Sequence, residues 1–305
     1  MRFLPPQQAF LGLDPASSVV PDEARAIIVP FGLEASVTYG GGTAKGPQAI
    51  IEASHQVELF DDEFWREVVH DYGVATLEAE AVAADIPGAL DQLETIIEGL
   101  LVDRKFPLVL GGEHSLSAGA IRPYVSRYPD LAILHFDAHA DLRDGYDGEH
   151  YSHAAALRRC MDLSITSLIS VGIRNISAEE IPFLEANSDR IQIHWARNRK
   201  HWDAQEIVSL LKDRPVYLTF DLDGFDASLM AATGTPEPGG FFWDDAMNII
   251  RAASEVSTIV GADVVELAPR QELHACDFLA AKLCYKILNY ALHNRTAPGS
   301  EESKI

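Results

Sequence analysis

Cysteine is scarce in this chain. Its three cysteines, Cys160, Cys276 and Cys284, are odd in number and show no CxxC spacing, so neither a disulfide framework nor a thiolate metal site is indicated. Basic residues are few as well. With 24 Lys and Arg against 46 Asp and Glu, the formal charge is -22, which argues against nucleic acid or an anionic membrane as a partner. No apolar run approaches the roughly 18 residues of a membrane span, and Met1-Arg-Phe-Leu-Pro-Pro lacks the continuous apolar core of a signal peptide. A reducing, cytoplasmic setting is expected. There is also no linker, low-complexity tract or fixed-period repeat to divide the 305 residues.

What is present is the composition of a chain that folds, with 47% hydrophobic and 23% charged residues. Apolar runs at 26–31, 107–110, 131–136, 168–173, 216–220 and 259–265 read as strands buried on both faces, with shorter ones at 71–74 and 191–193. Apolar residues at helical spacing fall between them, in a helix from Gln48, at 88–104, at 116–128 with Ser115 as its cap, and at 178–187, 203–213, 242–256 and 277–292. Strands alternating with helices predict an α/β fold with a mainly parallel sheet of about eight strands, covered on both faces. The expected organisation is an N-terminal arm over 1–24, a single domain over 25–295 and a flexible C-terminal tail over 296–305. The segment Tyr39-Gly-Gly-Gly-Thr-Ala-Lys-Gly46 is no phosphate-binding GxxxxGK[ST] loop, because Gly46 follows Lys45; it reads as a tight turn lining a pocket.

In open sheets of this kind, ligands bind beyond the carboxyl ends of the strands. The chemistry-bearing residues gather there. The run Leu131-Ala-Ile-Leu-His-Phe ends in Asp137-Ala-His139-Ala-Asp141, three metal-ligand types at alternate positions, which an extended backbone sends to one side. Gly-Gly-Glu-His114-Ser follows the strand at 107–110, and Asp221-Leu-Asp223 follows the one at 216–220. Taken singly, His114 could be a helix-terminus residue and the Asp221/Asp223 pair a turn before Gly224. Their coincidence at three strand ends favours a metal site. Four carboxylates with two imidazoles are too oxygen-rich for a structural zinc site and suit Mn²⁺ or a similar ion. Six ligands would serve two ions, roughly 3.5–4 Å apart, with an activated water between them.

These motifs, with Ser152-His153, Thr233-Gly-Thr-Pro-Glu-Pro-Gly-Gly240 and Asp263-Val-Val-Glu266-Leu-Ala-Pro, resemble the ureohydrolase family of arginases and agmatinases, and the agmatinases most. The resemblance runs from about Pro30 to Tyr290. It implies a three-layer α/β/α arginase-type fold, two Mn²⁺ per subunit and a homo-oligomer, a trimer or hexamer. By the same resemblance His114 and Asp141 bind the first ion, His139 and Asp223 the second, and Asp137 and Asp221 bridge. Asp141 also accepts a hydrogen bond from the attacking hydroxide. His153 passes a proton to the leaving amine, its neighbour His150 being the rival for that role, and Glu266 orients the substrate guanidinium.

The implied partner is a small cationic guanidino substrate. Arginases hold the amino-acid end of theirs just after the Asp-x-His-x-Asp motif and in a Gly-Leu-Arg segment. Here Leu142-Arg143 stands at the first place, and Gly172-Ile-Arg174-Asn175-Ile-Ser177 carries Asn and Ser where arginases carry Asp. Without a carboxylate for an α-ammonium, agmatine is the expected substrate, hydrolysed to putrescine and urea. The alternatives are 4-guanidinobutanoate, which Arg143 would favour unless Asp144 or Asp147 neutralises it, 3-guanidinopropanoate, guanidine, arginine, or the chemistry of a single-zinc deacetylase of related fold. No serine or cysteine has a triad around it.

Overall fold

The computed structural model describes residues 1–293, so the expected tail at 296–305 lies outside the described residues. The first half of the chain forms β1 (Ala26–Phe31), α1 (Gly46–Ser54), α2 (Val69–Tyr72), β2 (Val74–Thr76), α3 (Ile86–Val102), β3 (Phe106–Gly111), α4 (Leu116–Arg127) and β4 (Ala132–Phe136). The second half adds α5 (Ala156–Met161), β5 (Ser167–Val171), α6 (Ile181–Ala186), β6 (Ile191–His194), α7 (Ala204–Ile207), β7 (Pro215–Asp221), α8 (Trp243–Val256), β8 (Thr258–Val265) and α9 (His274–Leu292).

All eight strands lie in one sheet, in the order β2-β1-β3-β8-β7-β4-β5-β6, and every pairing is parallel. Alternation along β1 shows how the layers form. Ile28 belongs to one core with Ile50 and Ile51 of α1, Ile249 and Ile250 of α8, and Leu283, Ile287 and Leu288 of α9, whereas Ile27 and Val29 belong to the other with Leu93 of α3 and Ile121 of α4. Two apolar cores on either side of the sheet make the expected three-layer arrangement. Helix α3 illustrates the local logic: Asp85 accepts the Gly88 N–H at 2.9 Å as its N-cap, and Leu90, Leu93, Ile97, Leu100 and Leu101 form its buried stripe. Replacing the fully buried Leu93 by Ala would cost roughly 2–5 kcal/mol.

Several expectations need correction. The strand expected at 71–74 is Val74–Thr76, because Asp71 and Tyr72 close α2 and Gly73, at φ +63°, turns the chain into the sheet. Ser115 caps nothing; its hydroxyl donates to Glu113 Oε1 at 2.6 Å. The helix expected at 203–213 is only α7, capped by Asp203, followed by a 3-10 turn at Ser209–Leu211. The helix expected at 178–187 shortens to α6, which begins just before Pro182. In residues 1–24, one 3-10 turn forms at Pro6–Gln8, and Phe10, Leu11 and Leu13 are buried in the core. Among the described residues no helix is long and apolar enough to cross a membrane.

The sheet order positions the site. Strands β3, β8, β7 and β4 are consecutive neighbours in the middle of the sheet. The chain moves outward through β1 to β2 on one side and through β5 to β6 on the other, so the carboxyl ends of the central four border the crevice where such folds bind ligands.

Candidate metal centre

Each central strand delivers its polar residues through a break in regular structure. After β3, the backbone of Gly112 presses on the loop behind β1; a Cβ there would stand 1.9 Å from the Leu33 carbonyl oxygen, so only glycine fits. His114 follows, fully buried. After β4, Asp137 donates its N–H to Val171 O at 3.1 Å, and His139 bridges to Asn175 beside it. Asp141 then adopts φ +52°, so the extended geometry expected to carry all three alternate ligands ends one position early and a left-handed turn aims the third. Glu266, after β8, is likewise left-handed at φ +67°. Two non-glycine residues held in this region mark local strain of the kind found where side chains must be aimed.

These turns bring six side chains together. His114 Nδ1 lies 3.2 Å from Asp137 Oδ2, 3.2 Å from Asp141 Oδ2 and 3.4 Å from Asp221 Oδ2. His139 Nδ1 lies 3.0 Å from Asp223 Oδ2 and 3.5 Å from Asp137 Oδ1. Asp137 therefore faces His114 with one oxygen and His139 with the other. His114 Nε2 is 2.9 Å from Thr219 Oγ1, whose single proton goes to Asp263 at 2.6 Å, so Nε2 carries the imidazole N–H and Nδ1 a lone pair. That Nδ1 is buried and makes no hydrogen bond. A lone pair and three carboxylate oxygens converging on one point fit a bound cation; one proton on Nδ1 could point at only one of those oxygens.

The site opens into a cavity of about 310 Å³ lined by His114, His139, Asp141, Asp221, Asp223 and Glu266, among others. Comparison with known proteins identifies the family. The sequence profile of the arginase family matches residues 24–289. The chain belongs to the arginase family. The N(1)-aminopropylagmatine ureohydrolase of Synechocystis sp. is 34% identical over 277 residues, covering 88% of this chain and 89% of its own. The agmatinase of Bacillus subtilis is 34% identical over 258 residues, covering 81% and 85%. Among solved structures, the agmatine ureohydrolase of Thermoplasma volcanium has a TM-score of 0.83 at 27% identity, with 94% of each chain covered. The motif resemblance holds, and this arginase-family enzyme is a ureohydrolase, an amidinohydrolase of the agmatinase-like kind.

The side chains of the arginase-family site crowd negative charge into a buried space. Burial, aided by the charge of Asp137, pushes Asp141 up to about 7. Burial and the neighbouring Asp223 and Asp137 raise Asp221 well above the carboxylate range, and burial pushes Glu266 up to about 8. Asp137 goes the other way: burial opposes its charge, but His114, His135 and His139 hold it well below the usual value. For His114, burial disfavours the cation and the three carboxylates outweigh it, raising the imidazole; His139 is raised likewise by Asp223 and Asp137. The raised carboxylates and the raised imidazoles all call for added positive charge, which a divalent ion would supply.

The other expected residues divide. His153 lines the cavity, with Nδ1 3.1 Å from Ser36 Oγ and Nε2 2.7 Å from Thr38 Oγ1, and burial lowers its pKa. His150 does not line it: its ring lies against Arg159 and its Nδ1 is 3.1 Å from Asp144 O. Glu266 Oε1 accepts the His114 N–H at 2.7 Å and so braces the loop that carries that imidazole. Arg143 lines the cavity over the Tyr146 ring at 5.1 Å, and its charge is met by Glu179 at 3.3 Å rather than by Asp144, which pairs with Arg159, or Asp147.

The sequence reading gave no role to His135, Thr219, Asp263, Glu113, Ser36 or Thr38. A signal existed for two of them. His135 has the same alternate spacing as Asp137 and His139, and Asp263 is an acid inside an otherwise apolar strand. Both are fully buried and bonded to the residues that shape the site.

Proposed function

We propose that this enzyme hydrolyses agmatine to putrescine and urea at a pair of Mn²⁺ ions. The observation that carries the reading is Asp137, whose two oxygens face the Nδ1 atoms of His114 and His139. In this reading His114 and Asp141 would hold one ion and His139 and Asp223 the other, with Asp137 and Asp221 available to both. Paired divalent ions, when bound, lower the pKa of a water and so supply a nucleophile at neutral pH.

The chain's own residues do the rest. Glu266 receives the guanidinium, a planar cation that matches a carboxylate. Asp141 accepts a hydrogen bond from the attacking water and keeps it aimed at the guanidino carbon. His153, held at the cavity wall, gives a proton to the nitrogen that departs as the primary amine. The lowered pKa of His153 keeps it neutral before reaction, ready to take a proton and pass it on.

Support for a cationic rather than anionic substrate tail comes from Arg143, whose guanidinium is met by Glu179 and so offers a carboxylate less than a free cation would. A second reading, N(1)-aminopropylagmatine, has an observation behind it. Tyr39 and Gly234 line both the cavity and an adjoining groove of about 520 Å³ lined by Arg270 and Glu272, which gives room for a longer tail whose amine Glu272 would meet. The test is urea release by Mn²⁺-loaded enzyme on agmatine, N(1)-aminopropylagmatine, arginine, 4-guanidinobutanoate, 3-guanidinopropanoate and guanidine. The highest kcat/KM on agmatine is expected. Turnover confined to the anionic compounds, or one zinc per chain with no urea from any of them, would sink the proposal.

A further inference from the structure

The segment between β1 and the glycine-rich turn does more than join them. Ser36 Oγ stands between two groups from distant parts of the sequence, 2.7 Å from Glu113 Oε1 and 3.1 Å from His153 Nδ1, and it accepts the backbone N–H of His153 at 2.9 Å. Glu113 is fully buried and fixed from all sides: it takes the Ser115 hydroxyl at 2.6 Å, the Ser36 N–H at 2.6 Å and the Ala35 N–H as well. On the other edge of the imidazole, Thr38 Oγ1 stands 2.7 Å from Nε2.

Counting protons decides the arrangement. A serine hydroxyl has one proton to donate, and an ionised carboxylate only accepts. The Ser36 proton therefore goes to Glu113, the stronger acceptor, and its oxygen is left to accept from His153. Of the two hydroxyls near Nδ1, Ser36 Oγ at 3.1 Å is closer than Ser152 Oγ at 3.4 Å, so Nδ1 carries the imidazole proton toward Ser36 and Nε2 holds a lone pair that accepts from Thr38. Thr38 and His153 line the cavity and Ser36 does not, so the lone pair is on the cavity side.

We propose that Ser36 is a positioning residue that, anchored on Glu113, fixes His153 as the Nδ1–H tautomer and presents Nε2, beside Thr38, as the atom that takes and releases the proton. The inference rests on the reading of His153 as proton donor to the leaving amine. Nε2 gains one proton from the attacking water and loses it to the departing nitrogen. The water oxygen bonds to the guanidino carbon, the C–N bond breaks, and both water protons end on the departing amine, so guanidinium and water give urea and an ammonium ion with no further reactant.

The test is a double-mutant cycle in the Mn²⁺-loaded enzyme with agmatine. Ser36→Ala should lower kcat roughly 10- to 100-fold, as the loss of an orienting hydrogen bond does, with KM and bound metal unchanged, and Ser36→Thr should restore most of it. Should Ser36→Ala not fold, Ser36→Cys, which fills the same space with a poor acceptor, should fold and show the same loss of kcat, roughly 10- to 100-fold. In the His153→Asn background, Ser36→Ala should cause no further loss, because it acts through His153. A further loss of full size would overturn the proposal, as would full kcat in Ser36→Ala while His153→Asn is impaired. Full turnover in His153→Asn would instead remove the role of His153 and this inference with it.

Discussion

His135 Nε2 lies 2.8 Å from Asp137 Oδ2, and both residues are fully buried at the end of one strand. The far side of the imidazole is held by Ser170 Oγ at 3.0 Å, while Asp137 Oδ1 takes the His139 N–H at 2.6 Å. The carboxylate shared between His114 and His139 is thus clamped at both oxygens and cannot rotate. Such outer partners orient a ligand and raise its basicity, and their loss typically weakens metal binding about 10- to 100-fold. His135→Phe is expected to lose Mn²⁺ affinity by that factor in calorimetric titration, with the fold retained by circular dichroism. Unchanged affinity would mean that the His139 N–H alone fixes Asp137.

His139 is the imidazole beside Asp223 and is only partly buried, so its removal should empty one half of the centre without breaking the core. His139→Ala is expected to abolish urea release and to reduce bound manganese from two ions per chain to one, measured by elemental analysis. Retained turnover in this variant would refute the two-ion arrangement.

Crowded carboxylates also tie metal to stability. Asp141, Asp221 and Glu266 are all driven upward by burial and by neighbouring carboxylates, so the folded state is disfavoured wherever their charges stay uncompensated. A chelator should lower the thermal midpoint and added Mn²⁺ should restore it, each ion adding about 2.7 kcal/mol of stability at a hundredfold excess over its dissociation constant. A midpoint insensitive to both treatments would show that the cluster tolerates its charges without an ion.

Much of this is legible in the sequence. The central strands were plain because parallel sheets bury both faces, which leaves unbroken apolar runs such as Leu108-Val-Leu and Ile133-Leu. The polar residues that interrupt them stood out for the same reason. What did not show was geometry set by tertiary contact: the left-handed turn at Asp141 that period two alone would not produce, and the Gly73 turn that moved the start of β2 from 71 to Val74. The support behind the site was hidden too. Ser36, Glu113 and His153 are joined across 77 and 117 positions of sequence, a distance over which no local pattern can speak.

The pairing of Arg143 with Glu179 bears on substrate choice. The two are 3.3 Å apart, and the Glu179 side chain is 78% exposed, so the pair is screened by solvent and worth at most about 1 kcal/mol. Glu179→Gln should therefore shift preference only modestly, lowering kcat/KM for agmatine and raising it for 4-guanidinobutanoate by up to about fivefold each. Equal effects on both compounds would show that Arg143 does not meet the substrate tail.

A second charge cluster, far from the metal residues in sequence, should govern acid stability. Glu63 Oε1 accepts from Lys286 Nζ at 2.9 Å and Tyr290 OH at 2.7 Å, and Oε2 from Arg251 Nε at 2.9 Å, which ties the segment before α2 to α8 and α9. Burial opposes the charge of Glu63, but Arg251, Lys286 and Tyr290 outweigh it and hold its pKa at about 2 against an ordinary 4.5. Because the folded value is the lower one, the stabilisation is complete above about 4.5 and is lost as pH falls toward 2. In that window the unfolded chain binds a proton that the folded one refuses. Partial exposure of Glu63 screens the effect, so the slope will be shallower than the shift alone implies. Urea unfolding of the wild type and Glu63→Gln between pH 6 and pH 3 reads it out. The difference between the two proteins cancels the metal centre, which titrates in both, and it should shrink steadily below pH 4.5. A difference constant with pH would assign the Glu63 contribution to packing rather than charge.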